Sequence, residues 1–151
     1  MAQTSSRPLN EANVPLQKVL NVWDRIRVNS PVYEFLLSNV DIYHAEQGLF
    51  SARLQVGPRH LNSKGGLHGS FSATVTDWAG GLAIASHGLE STGVSTNINV
   101  NYLSSARTGD WLEIQGRVDR LGKTLAFTSV AISSGGTLVA QGSHTKYIKS
   151  R

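Results

Sequence analysis

Cysteine is absent from this chain of 151 residues. Disulfide bonds and a thiol nucleophile are therefore excluded, and a structural zinc site is not expected, because such sites rely largely on cysteine ligands. The five histidines show no H-E-x-x-H spacing. Glycine-rich nucleotide-binding loops and the G-x-S-x-G nucleophile elbow are also missing. These absences predict a protein that uses no metal ion and no other cofactor.

Long apolar runs are absent as well, since none approaches the roughly 20 residues that a membrane-spanning helix needs. Residues 1–13 have no apolar segment of the kind found in signal peptides, so we expect an intracellular protein, cytoplasmic or mitochondrial. Charged residues make up only 16% of the chain. This low share suggests that part of the surface is buried in an oligomer.

The formal net charge is +4, and the basic residues are scattered along the chain. There is no block of lysine or arginine and no interleaving with aromatic residues, so the pattern does not favour nucleic-acid binding. The positive charge belongs either to a solvated surface or to a site for a small phosphorylated ligand.

Hydrophobic periodicity divides the chain into two parts. Residues 1–12 are polar and are expected to be disordered, and Pro15 then begins an amphipathic helix. Ser30 and Pro31 form a helix cap followed by a first-turn proline, which predicts a short second helix through Leu37. We assign residues 1–38 to an N-terminal extension and residues 39–151 to the main domain.

The main domain combines one long helix with antiparallel strands. Alternating residues from 40 to 56 predict a hairpin. Residues 70–87 are predicted to form a helix with one apolar stripe, made of Phe71, Val75, Trp78, Leu82 and Ala85. Four strands follow, and the glycine turns between them imply antiparallel neighbours. A sheet of this size wraps around the helix, which is an α+β fold.

A polar, glycine-rich loop at residues 62–69 leads directly into the long helix. Helix N-termini present unpaired N–H groups and a partial positive charge, so the Gly69 N–H is a candidate for polarising a carbonyl oxygen. Asp77 lies two turns further along among small or apolar neighbours, where a partly desolvated carboxylate is a usable base or nucleophile. An ordinary solvated aspartate is the alternative.

Three other polar residues have both a structural and a catalytic interpretation. His68 either caps the helix or bonds the same carbonyl oxygen as Gly69. Asn62 either favours the loop conformation or binds a carbonyl or a water. Ser95 lies on the polar face of a strand, where it is either solvated or holds a water for attack.

Six blocks of sequence, in order, resemble the hotdog-fold acyl-CoA thioesterases of the PaaI-like group. They are Asn62-Ser63-Lys64-Gly65-Gly66-Leu67-His68-Gly69, Thr76-Asp77, Gly93-Val94-Ser95, Asn101-Tyr102-Leu103-Ser104, the run from Gly122 to Val130 and the run from Ala140 to Lys146. The resemblance implies a hotdog domain at residues 39–151, in which a long central helix is wrapped by a curved antiparallel sheet. It also implies a homodimer or a homotetramer built as a dimer of dimers.

The resemblance further implies hydrolysis of an acyl-CoA thioester at a site shared between two subunits. Asn62, His68 and Gly69 would come from one subunit, and Asp77 and Ser95 from the other. In that arrangement the Gly69 N–H polarises the thioester carbonyl. Asp77 acts as general base on a water or as the nucleophile, and Ser95 positions the water.

Contacts to the substrate and its CoA part are implied for a further group of residues: Ser95, Tyr102, Arg120, Leu121, Gly122, Lys123, Thr124, Leu125 and Tyr147. Of these, Arg120 and Lys123 suit the phosphates of CoA. The partner is thus an acyl-CoA, with no nucleic acid and no membrane span.

Two positions depart from the pattern of that family. Ser70 stands where the family often has a second glycine, and Trp78 is bulky beside Asp77, where it is expected to narrow the acyl tunnel. These departures leave the acyl-chain preference open and not the reaction. Two alternatives to hydrolysis are also kept. One is a hydratase or dehydratase of the same fold, with His68 and Asp77 acting on the acyl carbons. The other is an acyl-CoA binding protein without catalytic activity.

Overall fold

The structure, a computed structural model, describes residues 14–149. The disorder expected for residues 1–12 therefore lies outside the described residues. Within them the chain forms three α-helices and six strands: α1 (Val14–Arg27), α2 (Pro31–Leu37), β1 (Asp41–Glu46), β2 (Leu49–Gln55), α3 (Gly69–Ala85), β3 (Val94–Tyr102), β4 (Trp111–Leu121), β5 (Leu125–Ser134) and β6 (Thr137–Tyr147).

One antiparallel sheet contains all six strands, in the order β1-β2-β4-β5-β6-β3. The pairing register shifts near Val118 in β4 and near Ile132 in β5, and such irregularities bend and twist a sheet. The curved sheet packs against α3 through β4, β5 and β6. This is the predicted α+β hotdog fold.

Strand β3 exposes most of its side chains. Val94, Ile98 and Tyr102 are exposed and only Val100 is half-buried. The reason is its position at the edge of the sheet, where it pairs with β6 on one side and, among the described residues, with no strand on the other. A nine-residue edge of this kind is a template for pairing with another chain.

The two predicted N-terminal helices form as expected. The α1 helix buries Val19, Val22 and Trp23. The α2 helix begins at the predicted cap, where the Ser30 hydroxyl accepts a hydrogen bond from the Tyr33 N–H. Both helices contribute to the same hydrophobic core as the sheet and α3. The division between residues 38 and 39 stays a prediction.

Trp78 connects the long helix to the N-terminal part of the chain. Its ring meets Trp23 of α1 and Phe50 of β2 edge-on, at centroid distances of 5.5 and 5.4 Å. Edge-to-face geometry at this distance stabilises aromatic pairs beyond the area that they bury. Trp78 is therefore a core residue that helps to hold α1 against the domain.

The long helix is buried more evenly than its sequence predicted. The predicted stripe is buried, and so are residues off the stripe, including Gly80, Gly81 and Ile84. The cause is the sheet, which curves around α3 and leaves little of the C-terminal half open to solvent. Glycine at position 80 permits a close approach, because a Cβ there would lie 2.6 Å from Thr128 Oγ1 and 2.7 Å from His144 Nδ1.

The two adjacent glycines of α3 give a matched stability test. We expect Gly80→Ala to lower the free energy of unfolding by about 1–2 kcal/mol, because overpacking exceeds the gain of about 1 kcal/mol in helix propensity. Gly81→Ala is the control, since its Cβ would meet only ordinary contacts from 3.4 Å. It should be neutral or stabilising. Urea unfolding of both variants checks this, and equal stabilities would contradict the assigned packing.

Candidate functional site

The glycine-rich loop is held by its own side chains. Asn62 Oδ1 accepts hydrogen bonds from the N–H groups of Lys64 (2.9 Å) and Gly66 (3.1 Å). Gly65 has φ +81°, a left-handed conformation that favours glycine. The Asn62 amide is thereby fixed at the base of the loop, in agreement with the loop interpretation of this residue.

His68 is the N-cap of α3. Its Nδ1 accepts a hydrogen bond from the Ser70 N–H at 3.0 Å and lies 2.7 Å from the Ser70 hydroxyl. Because Nδ1 is an acceptor, the neutral ring carries its proton on Nε2. The structural interpretation of His68 as a cap is thus confirmed, and Ser70 is its partner.

Gly69 is the first residue of α3. Its carbonyl accepts the Tyr102 hydroxyl at 3.0 Å, and among residues 14–149 no acceptor pairs with its N–H. Gly69 and Tyr102 line a cavity of about 340 Å³ together with Asn62, Leu67, Ser72, Ser104, Ser105 and Val139. The structure therefore brings Asn62, Gly69 and Tyr102 together around a free N–H donor, while His68 lines a different cavity.

Asp77 is surrounded by hydrogen-bond donors from distant parts of the chain. The Tyr33 hydroxyl donates to Asp77 Oδ2 at 2.9 Å, and the Ser95 hydroxyl donates to Oδ1 at 3.3 Å. The side chain is 36% exposed, so a water can reach it. The expectation of small or apolar surroundings was wrong in this respect, because the sheet and α2 bring polar groups that lie far away in sequence.

Two basic residues of β6 complete this cluster. His144 Nε2 lies 2.7 Å from the Ser95 Oγ and 3.7 Å from Asp77 Oδ1. When Ser95 donates its one proton to Asp77, the Nε2–H of His144 donates to Ser95, and in the other tautomer Nε2 accepts from Ser95. The ring is fully buried, and its Nδ1 has no partner among the described residues.

The charge states of these groups follow from their burial. Desolvation lowers the pKa of His144, the positive charge of Lys146 lowers it further, and Asp77 opposes both effects. Burial also lowers the pKa of Lys146, again opposed by Asp77. His144 is therefore held neutral, while Lys146 places a cation near the carboxylate.

Sequence reasoning assigned no role to Tyr33, His144 or Lys146. The strand pattern could have found two of them. His144 and Lys146 follow Ala140 and Gly142 at every second position of β6, so all four lie on the face toward the core. No such signal marked Tyr33, which lies 44 residues before Asp77 in the chain.

The two halves of the candidate site lie apart within one chain. Gly69 and Asp77 are eight residues apart on α3, a separation of roughly 12 Å at the helical rise. A thioester carbonyl bonded to the Gly69 N–H of a chain is therefore out of reach of the Asp77 carboxylate in the same chain.

The residues assigned to CoA are divided in the same way. Leu121, Gly122 and Lys123 line a cavity of about 410 Å³ with Leu89, Glu90, Ser91, Ile148 and Lys149. Arg120 and Thr124 flank it in sequence and are exposed, and Leu125 pairs with Tyr147 across β5 and β6.

Tyr102 lies at the opposite end of β3 from this cavity. The strand runs from Val94, opposite Tyr147, to Tyr102, opposite Ala140. Eight strand residues separate these ends by roughly 27 Å.

In residues 14–149 no three His, Asp or Glu side chains are grouped so as to hold a metal ion. None of the helices in this range has the length and apolar character to cross a bilayer.

The sequence profile of the thioesterase superfamily matches residues 64–141, more than half of the chain. The chain belongs to the thioesterase superfamily. Human acyl-coenzyme A thioesterase 13 is 36% identical over 118 residues, which are 77% of this chain and 84% of that protein. The matched thioesterase span includes Gly69, Asp77 and Ser95 and begins after Tyr33.

Solved structures agree with this assignment. Zebrafish thioesterase superfamily member 2 superposes with a TM-score of 0.77 at 33% identity, over 90% of this chain and 96% of that one. A hypothetical thioesterase protein from Streptococcus pneumoniae, solved with coenzyme A, superposes with a TM-score of 0.71 at 28% identity, over 76% and 92% of the two chains. The resemblance to the PaaI-like hotdog thioesterases is thereby confirmed.

Proposed function

We propose that this thioesterase hydrolyses acyl-CoA thioesters to a free carboxylic acid and CoA. The observation that carries the proposal is the presence of two features on one helix. The Gly69 N–H has no acceptor among residues 14–149, and the partly exposed Asp77 carboxylate receives hydrogen bonds from Tyr33 and Ser95. An oriented donor and a positioned base are the two groups that acyl transfer to water needs.

The reaction proceeds by addition and elimination. The Gly69 N–H, with Asn62 beside it, donates to the thioester oxygen as that oxygen gains negative charge. Asp77 takes a proton from the water that Ser95 holds, and the water oxygen bonds to the carbonyl carbon. Collapse of the tetrahedral intermediate breaks the C–S bond, and the CoA thiolate leaves and takes up a proton. We assign Asp77 as a general base rather than a nucleophile, because hydrogen bonds from Tyr33 and Ser95 weaken both carboxylate oxygens as nucleophiles and still leave a lone pair on Oδ1 for a proton.

The site is shared between two copies of the chain. A two-fold axis near Ile98, the middle residue of the exposed β3 edge, would pair two β3 strands antiparallel. The Asp77 and Ser95 end of one chain would then meet the Gly69 and Tyr102 end of the other. Such pairing joins the separated halves and also covers the free edge. The dimer is the unit that catalysis requires, and a tetramer is a pair of such dimers.

The CoA part lies along the basic end of the sheet. Arg120 and Lys123 carry the positive charge that the phosphates need, and Lys123 lines the cavity of about 410 Å³. The Streptococcus pneumoniae protein solved with coenzyme A supports CoA as the ligand. His68 supports the helix start through its cap to Ser70 rather than touching the carbonyl.

Thiol release from a panel of acyl-CoAs of increasing chain length tests the function. We expect turnover on at least one chain length, with equal amounts of free thiol and carboxylic acid. Two results would contradict hydrolysis. Addition of water to an enoyl-CoA without thiol release would favour a hydratase, and tight binding of acyl-CoA by calorimetry without turnover would favour a binding protein.

A further inference from the structure

We propose that Tyr33 of the N-terminal helix α2 is a positioning residue for the Asp77 carboxylate, so that the N-terminal segment takes part in the reaction. This inference rests on the proposed function of Asp77. Tyr33 lies before residues 64–141, the span matched by the superfamily profile, and is therefore a feature of this chain beyond that span.

The two oxygens of Asp77 receive their donors from opposite sides. Tyr33 of α2 holds Oδ2 at 2.9 Å, and Ser95 of β3 contacts Oδ1 at 3.3 Å. A donor on each oxygen fixes the rotation of the carboxylate about its last bond. The lone pair of Oδ1 that Ser95 does not use then points in a fixed direction, toward the position of the water that Ser95 holds and Asp77 deprotonates.

The α2 helix does not need the Tyr33 hydroxyl to hold its place. Its start is capped by Ser30, and Leu37 at its end is fully buried. The Leu36 carbonyl is also bonded to the His60 ring at 2.7 Å. The Tyr33 ring packs at 6.1 Å from Trp23, a contact that a phenylalanine would keep. The hydroxyl is thus the one part of the side chain whose role is specific to Asp77.

Tyr33 stays a donor under all ordinary conditions. Burial raises the pKa of its hydroxyl well above the ordinary value of about 10, and the negative charge of Asp77 and the hydrogen bond to it raise it further. The other groups facing Asp77 are Ser95 from β3 and His144 and Lys146 from β6. Around neutral pH, Tyr33 therefore supplies a neutral donor opposite the basic residues of β6.

The test compares kcat and KM for acyl-CoA hydrolysis by Tyr33→Phe and by wild type. We expect kcat to fall about tenfold with KM within about twofold, because the variant binds substrate normally but loses the orientation of its base. A residue that only supported the fold would lower the amount of folded enzyme and would leave kcat per folded site unchanged.

Tyr43→Phe is the matched control. Its hydroxyl also donates to a carboxylate, Glu113 Oε2 at 2.7 Å, on the exposed surface. This variant should keep the kcat and KM of the wild type. In an Asp77→Asn background, Tyr33→Phe should change nothing further, as expected for two residues that act as one unit.

Failure of the Tyr33 inference and failure of the proposed function give different results. An inactive Asp77→Asn beside a folded Tyr33→Phe with wild-type kcat and KM overturns this inference alone. A further loss of rate on adding Tyr33→Phe to Asp77→Asn also overturns it, because the hydroxyl would then act on another group. Wild-type activity in Asp77→Asn contradicts the proposed function and this inference with it.

Discussion

Asp77→Asn is expected to lower kcat for acyl-CoA hydrolysis by about 10²–10⁴-fold, the range found for loss of a general base. The amide has the size and shape of the carboxylate, and its one oxygen can accept one of the two hydrogen bonds that Tyr33 and Ser95 donate to the carboxylate. It cannot take a proton from water at neutral pH. The chemical step should therefore be lost while substrate binding is retained.

Thiol release at saturating acyl-CoA measures this effect, and circular dichroism checks that the variant folds. Asp24→Asn is the control, because Asp24 is exposed on α1 and far from the cluster in the chain. It should match the wild type in rate. Equal rates for Asp77→Asn and wild type would remove Asp77 from the mechanism and would leave the exposed carboxylate without a catalytic role.

Mixed dimers should regain the activity that two inactive parents lack. One parent is Asp77→Asn, and the other is Gly69→Pro, which removes the N–H donor alone. Proline is well tolerated at the first position of a helix, and His68 already has the extended conformation, φ −70° and ψ 135°, that suits a residue before proline. Each parent dimer has two defective sites.

A mixed dimer has one complete site, formed by Gly69 of the Asp77→Asn chain and Asp77 of the Gly69→Pro chain. Random exchange makes about half of all dimers mixed, so the recovered activity should be about a quarter of wild type for a two-fold symmetric pair. The measurement is thiol release after the two variants are unfolded and refolded together.

A doubly substituted chain gives the reverse control. Refolded with wild type, a Gly69→Pro, Asp77→Asn chain spoils both sites of each mixed dimer, so only the wild-type dimers should remain active. If one chain held a complete site, each such mixed dimer would keep one active site, and the two single variants would not restore activity. That pattern would refute the shared site.

The local features of the site are readable in the sequence because they depend on neighbours along the chain. The loop at residues 62–69, the helix after it and the cap at Ser30 all arise from glycine, proline and hydroxyl preferences and from apolar spacing. The resemblance to hotdog thioesterases depends on the same local blocks. From these, Gly69, Asp77 and Ser95 could be chosen.

The surroundings of Asp77 had to come from the folded chain. Tyr33 and Asp77 are 44 residues apart, and Ser95 and His144 are 49 apart. Their contacts arise only when α2 packs beside α3 and when β6 pairs with β3. The exposure of β3 is likewise a property of strand order, since β3 lies at the edge of the sheet.

The sequence by itself determined the helix-start donor and the carboxylate two turns later, because propensity and periodicity act over a few residues, and its blocks carried the resemblance to hotdog thioesterases. The tertiary structure alone decided which groups hold that carboxylate, and it left the two halves of the site on opposite ends of a free edge. Such contacts follow from the order of strands and the docking of helices, and side-chain patterns along one strand or helix do not encode them.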